Sequence, residues 1–186
     1  MGKIIYSVSS TLDGYIADAQ GDFSWAFPTE AVIAALTEDM ANVTTYLYGR
    51  RMYETMAVWE TDPSAADESP ESASFVEVWK RARKVVFSRT LDDVWTERTR
   101  LERELTAQAV ERAKAETPGD LTIEGPTLAG TALRMGLVDV VELMIWPVTV
   151  GGGTRVFPDG LRANLRLARE RRFDEQGMVQ VRYETG

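Results

Sequence analysis

The apolar positions of the chain fall into two alternating patterns. Short apolar segments that stop at glycine or polar residues are typical of buried strands, whereas apolar residues three or four positions apart are typical of amphipathic helices. The sequence predicts strands over residues 3–9, 43–48, 84–88, 121–124 and 138–150, and helices from about residue 29 and over 50–59, 75–82, 104–116 and 128–135. Two further alternating segments, 165–173 and 178–184, predict a terminal hairpin.

Strands that alternate with helices over most of the length indicate βαβ crossovers and therefore an α/β fold of three layers, with a mostly parallel central sheet flanked by helices. The terminal hairpin adds antiparallel strands to that sheet. At 186 residues the chain is one domain in length, so we expect a single domain over 1–186. Residues 62–74 hold Pro63 and Pro70 among small and acidic residues, and are predicted to form a mobile surface loop. Thr29 is the predicted N-cap of the first helix.

Two residue types are missing from the composition, and their absence excludes several kinds of chemistry. The chain has no Cys, which excludes thiol catalysis, CxxC redox chemistry and thiolate metal sites. It has no His, which removes the usual general base of hydrolases and the commonest zinc ligand. No metal site is predicted, and proton transfer falls to Asp, Glu, Tyr, Lys or water.

The charge balance argues against nucleic acid and membranes as partners. With 21 Lys+Arg against 29 Asp+Glu, the formal net charge is −8, a poor electrostatic match for either polyanionic surface. No apolar run approaches the ~20 residues of a membrane span. Residues 1–8 have the pattern of a first strand rather than of a signal peptide. We therefore expect a soluble, cytoplasmic protein.

Three strand-to-helix turns carry glycine, hydroxyl or arginine side chains. They contain Gly49-Arg50-Arg51, Ser88-Arg89 and Gly125-Pro126-Thr127-Leu128. In an open α/β sheet such strand ends are where ligands bind, and a helix N-terminus there attracts phosphate. Arginines and a serine that converge on one phosphate favour a 2′-phosphorylated cofactor, NADPH. Each glycine taken alone is also explained by ordinary turn formation; the three turns in this order are more specific.

A series of longer motifs contains these turns. In chain order they are LDGYIA (12–17), Trp25, LYGRRMYE (47–54), VVFSRTL (85–91), EGPTLAG (124–130), GLVD (136–139) and PVTVGGGTRVF (147–157). With them the chain resembles the C-terminal reductase domain of the bacterial riboflavin-biosynthesis deaminase-reductase in a stand-alone form, a group that shares the dihydrofolate reductase fold. The resemblance covers nearly the whole chain. It implies NADPH as cofactor, a small pyrimidine- or pteridine-type heterocycle as substrate, and a homodimer.

The resemblance also implies roles for the residues of the turns. Gly49 and Arg50, with Arg51 beside them, match the turn that meets the cofactor phosphates, and Ser88 and Arg89 match the turn that grips the 2′-phosphate. The pyrophosphate turn is matched by Gly125, Pro126, Thr127 and Leu128. The family usually has two adjacent glycines in this last turn; Pro126 has no N–H, which removes one backbone donor to phosphate.

The candidates for catalysis are the carboxylates Glu30, Asp13 and Glu124. The segment from Trp25 to Glu30 has the Trp-x-x-Pro-x-acid spacing of many dihydrofolate reductases, whose carboxylate pairs with the N–H groups of a pteridine. Glu30 is equally well explained as an acid that stabilises the first turn of a helix. Asp13 either contacts substrate or forms the turn with Gly14. Glu124 ends a buried strand beside the glycine turn, where it can reach substrate.

Three functions fit these features. The first is an NADPH-dependent reductase that resembles 5-amino-6-(5-phosphoribosylamino)uracil reductase, with Arg155 or Arg162 as candidates for binding a substrate phosphate. The second is a working dihydrofolate reductase, which the spacing of Glu30 suggests. The third is a catalytically silent module that binds NADPH or another ligand, which Pro126 suggests.

Overall fold

A central sheet organises the computed structural model, which describes residues 2–66 and 70–186, with no side-chain description at 65, 66, 71 and 72. Its strands are β1 (Ile4–Thr11), β2 (Tyr15–Ala17), β3 (Val43–Gly49), β4 (Arg83–Phe87), β5 (Thr99–Glu102), β6 (Asp120–Glu124), β7 (Val140–Trp146), β8 (Thr154–Arg155), β9 (Leu165–Phe173) and β10 (Met178–Thr185). The helices are α1 (Glu30–Asp39), α2 (Arg50–Met56), α3 (Val58–Thr61), α4 (Pro70–Arg81), α5 (Ala107–Glu116) and α6 (Pro126–Arg134). Across the described ranges, no helix has the length and apolar character needed to cross a membrane.

Eight strands form the main sheet in the order β5-β4-β3-β6-β1-β7-β10-β9. Every pairing from β5 to β7 is parallel, and β10 runs antiparallel to both β7 and β9. The mostly parallel sheet with an antiparallel terminal hairpin is therefore confirmed. A separate two-stranded antiparallel sheet joins β2 to β8.

Helices cover both faces of the sheet, because the parallel strands are apolar on both sides. On one face α5 and α6 contribute small buried residues such as Ala113 and Ala132 to a cluster built on Leu47, Leu121 and Ile123. On the other face α2, α4 and α1 pack over β3, β4, β7 and β10. The three predicted layers are thus a helix pair, the sheet, and a second set of helices.

The structure differs from the sequence-based elements most clearly in three places, apart from the short strands β2 and β8, which were not predicted. The apolar strand predicted over 138–150 ends at Trp146, because Pro147 follows and the amide of Val148 turns back to the carbonyl of Trp146 at 2.8 Å. Part of the predicted loop 62–74 is ordered as a 3-10 turn (Pro63–Ala66) and as the start of α4; its residues 67–69 lie outside the described residues. The strand β5 precedes α5, where the sequence had indicated no element.

The threonines that precede α5 and α1 are expected to contribute differently to the stability of the protein. The Thr106 hydroxyl accepts the amide of Ala109 at 3.1 Å, whereas Thr29, the predicted cap of α1, makes no side-chain cap hydrogen bond. We expect Thr106→Ala to lower the free energy of unfolding by about 1 kcal/mol, the usual value of an N-cap. Thr29→Ala should change it by less than about 0.5 kcal/mol. Urea denaturation of both variants checks this; equal losses would contradict the difference in capping.

Candidate functional site

The glycine turns after β3 and β6 meet at the carboxyl edge of the parallel sheet. These strands are neighbours, with Tyr48 opposite Glu124, so their following turns lie side by side. A Cβ added to Gly49 would lie 3.8 Å from the Cβ of Leu128, and one added to Gly125 would lie 3.7 Å from the Cβ of Met52. Each turn therefore packs closely against the helix that follows the other.

The Gly125 turn leaves the start of α6 open to a ligand. Gly125 is the N-cap at φ +93, a conformation that only glycine adopts readily, and no side chain caps the helix. Pro126 occupies the first helical turn, where the N–H that proline lacks would have no partner within the helix. The positive end of the helix dipole and the amides of the first turn can thus attract an anion despite the proline.

Arg50 bridges the turns after β3 and β4. Its Nε donates to Oε1 of Glu54 at 2.7 Å, and its Nη1 donates to Oγ1 of Thr90 at 3.1 Å. The guanidinium remains about half exposed. Its neighbour Arg51 is exposed at the start of α2. Arg50 is therefore held at the rim of the site, with surface free for a further oxygen ligand.

Ser88 shapes the turn after β4. Its side chain is buried, and its Oγ accepts the amides of Thr90 at 3.2 Å and Leu91 at 3.0 Å. Both lone pairs are used in this way, so the hydroxyl hydrogen is the part of Ser88 left for an acceptor such as phosphate. Arg89 projects into solvent and pairs with Glu104. The structure therefore brings Gly49, Arg50 and Ser88 together on adjacent strands, with Arg89 more peripheral.

Glu124 is a partly buried carboxyl beside the Gly125 turn. It accepts a hydrogen bond from the Thr122 hydroxyl at 3.1 Å. Burial penalises the charged form and raises the pKa of Glu124 to about 7, although the Thr122 bond opposes the shift. Near neutral pH this group can therefore hold or release a proton, a property typical of catalytic acids.

Asp13 connects two loops. Its carboxylate accepts the amides of Gly151 at 2.7 Å and of Val150 at 3.2 Å, which ties the turn after β1 to the loop after β7. The Thr11 hydroxyl and these two amides hold the pKa of Asp13 below its usual value. Glu30 is exposed at the first position of α1. The three candidate carboxylates thus stand on three separate elements, and Asp13 is engaged with backbone.

An open cleft lies between α6 and residues 153–159. It has a volume of about 430 Å³, within the range of small-ligand pockets, and Thr127 and Arg155 are among its lining residues. Arg155 pairs with Asp159 at 3.4 Å and lies 5.2 Å from the ring centroid of Tyr15. Arg162 does not line this cleft. Of the two arginines considered for a substrate phosphate, the structure places Arg155 next to the start of α6.

Three buried polar atoms near the start of α1 and the end of β7 have no hydrogen-bond partner in the described part of the chain: Nε1 of Trp25, Nε1 of Trp146 and Oγ1 of Thr29. Trp25 and Trp146 belong to the cluster between α1 and β7. Buried donors without partners are unusual and suit a ligand acceptor. Trp25 is part of the motif series and Thr29 is the predicted N-cap, whereas the motifs missed Trp146, although it lies in an apolar segment. Trp59 packs against Phe75, with ring centroids 5.0 Å apart.

Comparison with solved structures supports the fold. A protein from Shewanella sp. PV-4 that carries a provisional assignment to riboflavin biosynthesis matches 100% of this chain and 99% of its own, with a TM-score of 0.77 at 20% identity. The Thermotoga maritima deaminase/5-amino-6-(5-phosphoribosylamino)uracil reductase matches with a TM-score of 0.64 at 18% identity, and the chain spans 57% of it. Dihydrofolate reductase from Enterococcus faecalis, complexed with NADP(H) and RAB-propyl, matches over 97% of its length with a TM-score of 0.62 at 13% identity. The dihydrofolate reductase-like fold is thereby confirmed.

Sequence comparison identifies the family of the chain as well as its fold. The uncharacterised protein YyaP of Bacillus subtilis (strain 168) is 28% identical over 186 residues, which cover 97% of this chain and 94% of that protein. Residues 2–179 match the RibD C-terminal domain, so nearly every strand and turn of the site lies within the match. The chain therefore belongs to the RibD C-terminal domain family, a family of reductase domains.

Proposed function

We propose that this protein is an NADPH-dependent reductase of a small pyrimidine- or pteridine-type heterocycle. The observation that carries the proposal is the contact between the Gly49 and Gly125 turns at the carboxyl ends of neighbouring parallel strands. Ligands bind at this edge in open α/β sheets. Further support comes from the Enterococcus faecalis reductase of the same fold, which is complexed with NADP(H).

The residues of the site fit a 2′-phosphorylated dinucleotide. Gly125, Thr127 and Leu128, at the uncapped start of α6, would hold the pyrophosphate, with Pro126 filling a position that needs no N–H. Gly49, Arg50 and Arg51 would meet the phosphates from the opposite side. Ser88 and Arg89 would hold the 2′-phosphate through a hydroxyl and a guanidinium. When bound, the nicotinamide supplies a hydride, and the chain has only to position the substrate and handle a proton.

Within this proposal, Glu124 is the group that handles the proton. It lies beside the cofactor turn, and its pKa of about 7 keeps part of the population protonated at neutral pH. Glu30, exposed at the start of α1, would pair with N–H groups of the heterocycle. Asp13 acts on the same site by holding the loop after β1 against the loop after β7.

A second candidate activity is dihydrofolate reduction, which is favoured by the exposed carboxylate of Glu30 at the first position of α1. If this is the reaction, the purified protein will oxidise NADPH in the presence of dihydrofolate, and Glu30→Gln will abolish most of that rate. No turnover of dihydrofolate rejects this candidate. Turnover of a phosphoribosylamino-pyrimidine instead would favour the substrate class of the Thermotoga maritima enzyme.

We also propose that the protein is a homodimer. The edge strand β9 exposes Leu165 and Leu167, with 36% and 48% of their surface accessible, and an exposed sheet edge of this kind favours pairing with another copy. Sedimentation at micromolar concentration is expected to give twice the 20.8 kDa mass of the chain. A monomer at that concentration contradicts the proposal.

The first test is a titration with NADPH and with NADH, followed by quenching of the five tryptophans. We expect micromolar binding of NADPH and weaker binding of NADH. Arg50→Ala combined with Arg89→Ala should weaken NADPH binding by at least about tenfold, because two charge-assisted contacts are lost. Arg112→Ala with Arg166→Ala removes the same charge from exposed ion pairs elsewhere and should leave binding unchanged.

The result also separates a reductase from a silent binding module. Saturable NADPH binding together with NADPH oxidation in the presence of a heterocycle supports the reductase. Saturable binding without oxidation across a broad panel of pyrimidines and pteridines identifies the silent module. Binding of neither cofactor contradicts both.

A further inference from the structure

A second cavity lies at the opposite end of the strands from the candidate cofactor site. It has a volume of about 260 Å³ and opens between the amino ends of β3, β4 and β5 and the last turn of α5. Its charged lining residues are Arg83, Lys84, Arg98, Arg100 and Glu116. It is smaller than most drug-sized ligand pockets, so it suits a small group rather than a dinucleotide.

Three arginines line this cavity, from β4, from β5 and from the turn that leads into β5. The pairing of β4 with β5 sets Lys84 opposite Thr99 and Val85 opposite Arg100, so Arg83 and Arg100 share the face of the sheet covered by α5. The ammonium of Lys84 points to the other face, 4.1 Å from the centroid of the Trp79 ring. Glu116 is the one acidic lining residue. The lining therefore carries more cationic than acidic side chains, in a chain whose net charge is −8.

The arginines of the cavity are incompletely paired. Arg100 Nη1 donates to Oε2 of Glu116 at 2.8 Å, and Arg100 Nε lies 3.0 Å from Glu102, but Nη2 is enclosed and has no hydrogen-bond partner. Among the residues that the structure describes, no carboxylate lies within 4.0 Å of the Arg83 or Arg98 guanidinium. A buried guanidinium N–H without an acceptor is costly unless a ligand supplies one.

The backbone at Arg98 is also unusual. Arg98 is the one non-glycine residue with positive φ, at +54, in the described part of the chain. This left-handed conformation is disfavoured for an L-residue, because its Cβ comes too close to the following carbonyl oxygen. It aims the Arg98 carbonyl at the amide of Lys84, with an N···O distance of 3.0 Å, and so sets where β5 begins beside β4. Strain of this kind is concentrated at binding sites.

We propose that this cavity binds a phosphate group, either free or carried on a small molecule. Guanidinium groups pair with phosphate oxygens in a bidentate manner, and three of them surround one small concave space. Arg100 Nη2 supplies a donor that has no other partner. The site is independent of the cofactor turns, because it lies at the amino edge of the same strands.

The test is a titration of isotope-labelled protein with inorganic phosphate and, separately, with glycerol 3-phosphate, followed by NMR at constant ionic strength with chloride as the reference anion. We expect saturable chemical-shift changes of the backbone amides of Arg98, Thr99 and Arg100. The side-chain Nε–H groups of Arg98 and Arg100 should shift as well. Binding at the cofactor turn would instead shift the amides of Thr127 and Leu128, so the two sites report separately. Tighter binding of glycerol 3-phosphate identifies a phosphomonoester as the ligand, and tighter binding of inorganic phosphate identifies free phosphate.

Two variants complete the test. Arg83→Gln with Arg98→Gln should weaken phosphate binding at this cavity by at least about tenfold, while Arg81→Gln with Arg166→Gln removes the same charge from exposed ion pairs elsewhere and should not. Both substituted arginines of the cavity are exposed, so folding should be retained. Two outcomes overturn the proposal. One is small chemical-shift changes that grow linearly with phosphate and involve all surface arginines. The other is saturable chemical-shift changes of equal size in both double variants.

Discussion

Gly153→Ala is expected to lower the free energy of unfolding by about 2–3 kcal/mol, a large effect for the addition of one methyl group. Gly153 has φ +127, and an added Cβ would lie 2.1 Å from the carbonyl oxygen of Ala17. That oxygen belongs to backbone and cannot rotate away. The β2–β8 pairing must therefore separate, and the Asp13 hydrogen bonds to the neighbouring loop are expected to weaken with it.

Gly152→Ala is the matched control. It lies one position earlier, its φ is not in the left-handed region, and no atom lies within 4 Å of an added Cβ. Its unfolding free energy should stay within about 0.5 kcal/mol of the parent. Urea denaturation measures both variants, and amide exchange at Gly151 reports the loop directly. Equal stability of the two variants would show that the two loops do not pack as described.

The same contact accounts for the last glycine of the GGG segment after β7 (151–153). Gly153 is needed because the backbone of residues 17–18 lies against it. The close approach holds the loop after β1 at the same edge of the sheet as the Gly49 and Gly125 turns. No pattern near residue 153 indicates a partner more than 130 positions earlier in the chain, so this contact was not predictable from local sequence.

Most of the fold was predictable because its parallel strands are apolar on both faces. Such strands stand out from the helices by their length and by the glycine or proline that ends them, as for β3 and β6. The strand β5 was missed because its sequence, TRLE, is mostly polar. It lies at the sheet edge, where its backbone pairs with β4, Leu101 packs against the core and Arg100 forms an ion pair with Glu116 of α5.

The backbone conformation of the candidate site was predictable from the sequence, whereas the contacts of its side chains were less predictable. The left-handed conformation of Gly125 and the close packing at Gly49 follow from glycine at a strand end. The partner of a polar side chain is set by tertiary contacts that sequence does not show. Thr29 suits an N-cap by type but makes no cap bond, and Asp13 binds amides at positions 150 and 151.

Glu124→Gln is expected to lower the rate of substrate reduction by about a hundredfold at pH 6, the usual effect of losing a positioned general acid. Burial raises the pKa of Glu124 to about 7, so the parent holds the proton below pH 7 and loses it above. The parent rate should therefore be constant at low pH and fall about tenfold per pH unit above 7. The amide of Gln does not titrate, so the variant rate should show no such fall.

A readout independent of turnover separates a catalytic role for Glu124 from a merely structural one. A carboxyl whose pKa is raised by folding keeps its proton after the unfolded chain has released it, so the folded parent loses stability as the pH rises from 4.5, the ordinary pKa of a glutamate, through about 7. Glu124→Gln removes that loss, and its stability should rise relative to the parent over this range. Glu111→Gln, at an exposed position of α5, should alter neither the stability profile nor the rate profile. If Glu124→Gln shows the expected stability profile but retains the parent rate and its pH dependence, Glu124 is a buried carboxyl without a role in proton transfer, and the proton comes from another group.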